Sequence, residues 1–167
     1  DISGFTAMSE ALGAAGRLGT EELTSILNSY FGPMIDLIHT YGGTIVKFGG
    51  DAMTVLFPYL PQSPNRRFPE IRPDPVNEQV QWGDARRVAA CALQCALEMQ
   101  AHMPAYAAIP TSAGTFSLAM KAGLAVGRVL CTTVGDPLVR LEFVIAGEVL
   151  DRCAEAEHHA TPGEVIA

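Results

Sequence analysis

No run of roughly 18 apolar residues occurs in this chain, and no basic segment leads into an apolar one at its start, so nothing in it is expected to span or target a membrane. A cytoplasmic setting is the expectation. Basic charge is scarce as well: 11 Lys and Arg stand against 18 Asp and Glu, a formal charge of −7, which repels nucleic acid and anionic membrane unless a local patch overrides it. Arg66-Arg67 and Arg86-Arg87 are isolated pairs that make no such patch. The histidines His39, His102, His158 and His159 form no ligand spacing with a cysteine or carboxylate pair, which argues against zinc. Nor do the four cysteines read as a disulfide framework, because Cys91 and Cys95 lie four apart on an apolar helical stripe, as buried thiols do.

What is present suits one domain with a core: 167 residues, 49% of them apolar. The abrupt start at Asp1-Ile2-Ser3-Gly4, with no strand before it, and the end at Glu164-Val165-Ile166-Ala167 suggest a fragment of a longer protein, with 1–167 as a single domain. From Thr20 to Ile38 apolar residues recur at helical spacing; Thr20 is the expected cap, Glu21-Glu22 suit the N-terminal dipole, and Pro33 should bend the helix. Gly42-Gly43 stops it. Thr44-Ile45-Val46-Lys47-Phe48 then leads through Gly49-Gly50-Asp51 into Ala52 to Phe57, a β-hairpin with Asp51 at its tip. Residues 58–83 hold six of the eleven prolines and read as an inserted surface loop. A second helix is expected from about Asp84 to His102, with Val88, Cys91, Ala92, Cys95, Ala96 and Met99 facing inward. A small-residue loop follows, then strands at 117–124, 128–134 and 141–145, the last two separated at Gly135-Asp136-Pro137. A short helix over 148–159 and a final strand close an α+β chain with a mixed or antiparallel sheet.

Asp1 would stand at the end of a first strand, with Ile2 to Thr6 turning toward a helix and leaving backbone N–H groups able to meet phosphate oxygens. Asp51 adds a second carboxylate. Mg²⁺ takes few protein oxygens and keeps much of its shell for water and substrate phosphate, so two aspartates from separate segments are about what a phosphoryl-transfer site needs. In a net acidic protein, bound cations would also resolve the conflict of holding an anionic nucleotide. Taken singly, each aspartate also fits a bland role, as a helix cap at Asp1 and as ordinary turn chemistry at Asp51.

Four blocks in order carry a resemblance over nearly the whole length: Asp1 to Thr6, Gly43 to Asp51, Lys121-Ala122-Gly123-Leu124-Ala125-Val126-Gly127, and Val144 to Asp151, closed by Pro162-Gly163-Glu164-Val165-Ile166. The chain resembles the catalytic domain of class III nucleotidyl cyclases, the adenylyl and guanylyl cyclase family, and within it the first, metal-binding domain of bicarbonate-responsive soluble adenylyl cyclases. The resemblance implies a ferredoxin-like, palm-type fold with the second metal aspartate on a hairpin. It implies that Asp1 and Asp51 are catalytic and bind two ions, Mg²⁺ or Mn²⁺, with the Ile2 carbonyl as an added ligand. Gly4, Phe5 and Thr6 would hold the triphosphate of ATP, with Lys121 and Arg140 reaching it. Lys47 falls where adenylyl cyclases place a lysine that reads the purine and guanylyl cyclases a glutamate; Lys47 and Val144 would line a purine or bicarbonate pocket.

The departures narrow this expectation. Members that complete the site carry an asparagine that orients the ribose and, four residues on, a transition-state arginine; here those positions hold Asp151 and Glu155. Loss of one such donor costs roughly two to three orders of magnitude in rate. The family's sites form at a head-to-tail dimer interface, so this chain resembles the metal-giving half, completed by a second cyclase domain that supplies asparagine and arginine. A catalytically degenerate module binding nucleotide or bicarbonate is the alternative, favoured by Asp151 and Glu155 and opposed by the retained aspartates. A guanylyl or diguanylate cyclase, or a polymerase-palm relative, ranks below both; the absence of Glu-Phe after Asp51 and the Gly147 block oppose the diguanylate reading.

Overall fold

A computed structural model of the chain describes residues 1–59 and 85–167. All of the expected insertion except Pro58 and Tyr59, and the expected helix start at Asp84, lie outside the described residues. The element order is β1 (Ile2–Ser3), α1 (Phe5–Ala14), α2 (Arg17–Thr40), β2 (Thr44–Gly49), β3 (Ala52–Leu56), α3 (Ala85–His102), a 3-10 turn (Met103–Tyr106), β4 (Ile109–Thr111), β5 (Gly114–Phe116), β6 (Ala119–Met120), β7 (Ala122–Gly123), β8 (Leu130–Asp136), β9 (Arg140–Ala146), α4 (Glu148–His159) and β10 (Val165–Ile166). Strands pair antiparallel as β1 with β6, β2 with β3, β4 with β5 and β8 with β9, and parallel as β7 with β10. The fold is thus α+β with mixed pairing, as expected. Among the described residues no helix is long and apolar enough to cross a membrane.

The core forms where helical stripes of α1, α2 and α3 meet β1 and β6. Met8 and Leu12 of α1, Tyr30, Met34 and Ile38 of α2, and Cys95 of α3 are sealed, and Ile2 and Met120 close the layer from the strands. The inward stripe expected on α3 is observed, with Val88, Cys95, Ala96 and Met99 buried and Cys91 and Ala92 half-buried. Burial pushes the Cys95 thiol up to about 11, as removal of a thiol from water does. All four cysteines are free.

Four expectations are corrected. Helix α2 starts at Arg17 rather than Thr20: Gly16 caps it, and Thr20 lies inside it with its hydroxyl bonded back to the Gly16 carbonyl at 3.1 Å. The first turn is held instead by Arg17 and Glu21, 2.9 Å apart at i,i+4. The expected loop after α3 contains a hairpin, β4–β5, whose tip is fixed by the Glu22 carboxylate accepting from the Ser112 N–H at 3.0 Å. The strand expected over 117–124 is two short strands broken at Lys121, because β6 pairs with β1 while β7 pairs with β10. Finally, Gly135 and Asp136 belong to β8, opposite Leu141 and Arg140, and the turn lies at 137–139. Asp136 makes it locally: its carboxylate accepts from the Leu138 N–H at 2.9 Å and its carbonyl from the Val139 N–H at 3.0 Å.

Candidate metal and nucleotide site

Asp1 is positioned by the β1–β6 ladder. Its nitrogen donates to the Lys121 carbonyl at 3.1 Å and its carbonyl accepts from the Lys121 N–H at 3.1 Å. Residues that exchange both bonds form the closely bonded pair of an antiparallel ladder, so the next pair, Ile2 with Met120, has its backbone groups turned outward. The Ile2 carbonyl is therefore directed away from β6, while its side chain, 4% exposed, is driven into the core. One residue supplies both an anchor and an available oxygen.

Asp51 sits at the tip of the β2–β3 hairpin. Gly49 faces Ala52 across a two-residue turn made by Gly50, at φ +67°, and Asp51; a positive φ there favours glycine, which places the carboxylate next in line. The hairpin is pinned to α2 by Phe48 edge-on to Phe31, ring centroids 5.5 Å apart. A bulge at Val46 puts two residues of β2 against one of β3 and re-aims the strand toward its tip.

The charges of Glu157, Asp51 and Lys121 all bear on the Asp1 position. Gly4 precedes α1, whose first turn has no side-chain cap and no acidic residue. The first N–H groups of a 10-residue helix at Phe5 and Thr6 thus open beside the Asp1 segment. Lys121 stands where β1, β6 and β7 converge, its ammonium 3.9 Å from the Asp1 carboxylate and 2.8 Å from that of Glu157.

The other candidates lie on the two hairpins and on α4. Lys47 is exposed on β2, and Val144 is exposed on β9. Arg140 begins β9 at the far end of the β8–β9 hairpin and pairs with Glu142 at 2.6 Å, both side chains more than half exposed. Asp151 and Glu155 are exposed on α4; Glu155 borders an open groove of about 250 Å³ with Arg152 and His159, whose lining includes neither Asp1 nor Asp51.

Glu157 is the residue that sequence reasoning missed. Its signal was present: along α4 the inward positions run Val149, Cys153, Ala156, Glu157 and Ala160, so a carboxylate falls on an otherwise small, apolar stripe.

The donor set fits Mg²⁺ or Mn²⁺. Two half-exposed carboxylates and an outward carbonyl are hard oxygen ligands, and such ions need few of them. Among the described residues no group of three or more His, Cys, Asp or Glu is arranged to hold a metal ion.

The sequence matches the family of adenylate and guanylate cyclase catalytic domains over residues 1–166. It is 28% identical to adenylate cyclase type 10 of Mus musculus and 26% identical to that of Homo sapiens, in each case over 99% of this chain but 9% of the relative. The chain therefore spans a small part of those proteins. Among solved structures, the adenylyl cyclase CyaB from P. aeruginosa aligns with a TM-score of 0.62 at 24% identity, covering 99% of this chain and 71% of that one. The guanylate cyclase domain of RhGC from Catenaria anguillulae, in complex with GTP, aligns with a TM-score of 0.63 at 20% identity, covering 99% and 72%. At these identities the structural likeness speaks for the fold.

Proposed function

The chain belongs to the adenylate and guanylate cyclase catalytic domain family, and from that premise we propose that it is the metal-binding half of an adenylyl cyclase, converting ATP to 3′,5′-cyclic AMP and pyrophosphate with a complementary cyclase domain. What supports the reading is the Asp1 strand leading directly into the uncapped start of α1, with Asp51 set at the tip of a hairpin by Gly50. Two ions, Mg²⁺ or Mn²⁺, would be held by the Asp1 and Asp51 carboxylates and the Ile2 carbonyl; when bound they activate the ribose 3′-hydroxyl and offset charge on the α-phosphate and departing pyrophosphate.

The chain's own groups do the rest. Backbone N–H groups at Gly4 to Thr6 receive phosphate oxygens at the positive end of α1. The Lys121 ammonium lies beside Asp1, and Arg140 of the β8–β9 hairpin is the second cation this reading assigns to the triphosphate. Lys47 offers a donor to a purine. The partner supplies the asparagine and arginine that Asp151 and Glu155 cannot replace, since carboxylates repel the charge that develops on the phosphate. The β8–β9 hairpin is the surface this reading assigns to that partner. Leu141 and Phe143 stand on one face and Leu130, Val134 and Val144 on the other, all between 37% and 64% exposed, more apolar area than a free hairpin normally shows water.

The reading is tested by incubating the chain with ATP or GTP and Mg²⁺ or Mn²⁺, with and without a complementary cyclase domain, and measuring cyclic nucleotide. Cyclic AMP that forms only with the partner, and is lost in Asp51→Ala, is expected; cyclic GMP in its place would reassign the substrate. A second reading, a degenerate regulatory module binding nucleotide or bicarbonate, is favoured by the carboxylates at Asp151 and Glu155. It predicts metal-dependent nucleotide binding without turnover in any pairing.

A further inference from the structure

Lys121 marks the switch point of the strand layer. On its N-terminal side β6 pairs with β1, and on its C-terminal side β7 pairs with β10. Because Lys121 lies directly opposite Asp1 in the ladder, their side chains share a face. A lysine beside a metal-binding carboxylate is a standing competitor, since its ammonium can occupy the charge that a divalent ion needs. Its side chain is only 19% exposed, so water screens that competition weakly.

The ammonium is not centred on Asp1. It lies 2.8 Å from the Glu157 carboxylate and 3.9 Å from that of Asp1. The helix that brings Glu157 there is seated unusually close to the strand. A Cβ on Gly123 would collide with the Glu157 nitrogen and the Cys153 carbonyl, so only glycine admits this approach. The Cys153 thiol donates to the Gly123 carbonyl at 3.1 Å and fixes the same contact one helical turn earlier. Glycine on β7, thiol and carboxylate on α4, and lysine at the strand switch therefore form one continuous arrangement that ends at Asp1.

We propose that Glu157 is a positioning residue of the metal site: by holding the Lys121 ammonium, it keeps the Asp1 carboxylate open to a divalent cation. This rests on the reading of Asp1 and Asp51 as metal ligands. The side chains of Asp1, Lys121 and Glu157 together carry one net negative charge. Removing the Glu157 charge leaves Lys121 and Asp1 to neutralise each other, and the ion then has to displace the lysine. Groups that orient a ligand typically change metal affinity by about 10- to 100-fold when lost.

The test is Mn²⁺ titration of the chain, with free ion followed by its electron paramagnetic resonance signal and thermal unfolding recorded on each variant. Glu157→Gln is expected to raise the Mn²⁺ Kd about tenfold. Glu157→Asp, which keeps the charge on a shorter arm, should recover part of the loss. Lys121→Gln should bind Mn²⁺ at least as tightly as the parent. Adding Glu157→Gln to Lys121→Gln should then change little, because the competitor is gone. A merely structural role for Glu157 predicts equal losses with and without Lys121, and that result overturns the proposal, as does an unchanged Kd in Glu157→Gln. Failure of the underlying reading has a different signature, Mn²⁺ binding indifferent to Asp1→Asn and Asp51→Asn in the parent chain, and would overturn both.

Discussion

The strands that carry Asp1 and Asp51 are each tied to the core: Ile2 and Met120 are sealed at 4% exposure, and the β2–β3 hairpin leans on α2 through Phe48 and Phe31. The β8–β9 hairpin, by contrast, has a seven-pair ladder in which only Ile145 is even half-buried, and its tip residues Leu138 and Val139 are 95% and 83% exposed. The first region is fixed by packing. The second satisfies its backbone but leaves its apolar side chains open to water.

The sharpest way to break the contrast is at the Asp51 turn. Asp51→Ala should lower partner-dependent cyclic AMP formation by about two to three orders of magnitude, the usual cost of losing a charge-stabilising group, while leaving the melting temperature nearly unchanged, since Asp51 is a half-exposed turn residue. Chemical denaturation compares the two regions directly. Leu12→Ala, at a fully sealed position, should cost about 2–5 kcal/mol; Leu138→Ala, on the hairpin tip, should stay within about 0.5 kcal/mol. The hairpin has its own test. Phe143→Asp should leave the isolated chain's stability within about 0.5 kcal/mol but weaken activity with the complementary domain about tenfold, as loss of an interface aromatic does. If stability falls instead, the arm packs on its own domain and the contrast fails.

The smallest expected effect is a pH dependence from the core. Burial, with Glu98 adding to it, raises the Cys95 thiol from an ordinary 9.0 to about 11. Between those values the unfolded chain has lost a proton that the folded chain keeps, so stability should fall as pH rises from 9 toward 11. Below 9 this contribution is fully present. Equilibrium unfolding of Cys95→Ala against the parent across that range isolates it. Alkylation follows the same order, with exposed Cys131 modified well before Cys95.

Much of the fold was readable because its strongest signals are local. The apolar stripes of α2 and α3, the Gly49-Gly50-Asp51 turn and α4 are observed, with the start of α2 moved to Arg17. Helix α1 was only hinted at: its stripe is Phe5, Met8 and Leu12 set among small residues, and no side chain caps it. The β4–β5 hairpin stayed hidden because its tip is held by Glu22, 90 residues earlier. The break at Lys121 was equally invisible, since it reflects a change of pairing partner rather than a glycine or proline.

The site divides in the same way. Asp1 and Asp51 could be named from glycine-marked turns, and the turn at Asp51 is the one observed. Glu157 could have been marked as a carboxylate on the apolar stripe of α4, but its reach to Lys121 depends on the close approach of α4 to Gly123, which no window of sequence contains. Arg140 could be marked as a nearby cation, but its distance from Asp1 along the hairpin depends on where the β8–β9 turn falls, and Asp136 moves that turn.

Whether the chain holds half of an active site is decided by titrating a complementary cyclase domain into it at fixed ATP and Mn²⁺ and measuring cyclic AMP. Negligible turnover without the partner, a rise that saturates at equimolar partner, and its abolition by Asp51→Ala are expected. Full turnover by the chain alone, unchanged by added partner, would contradict the half-site reading.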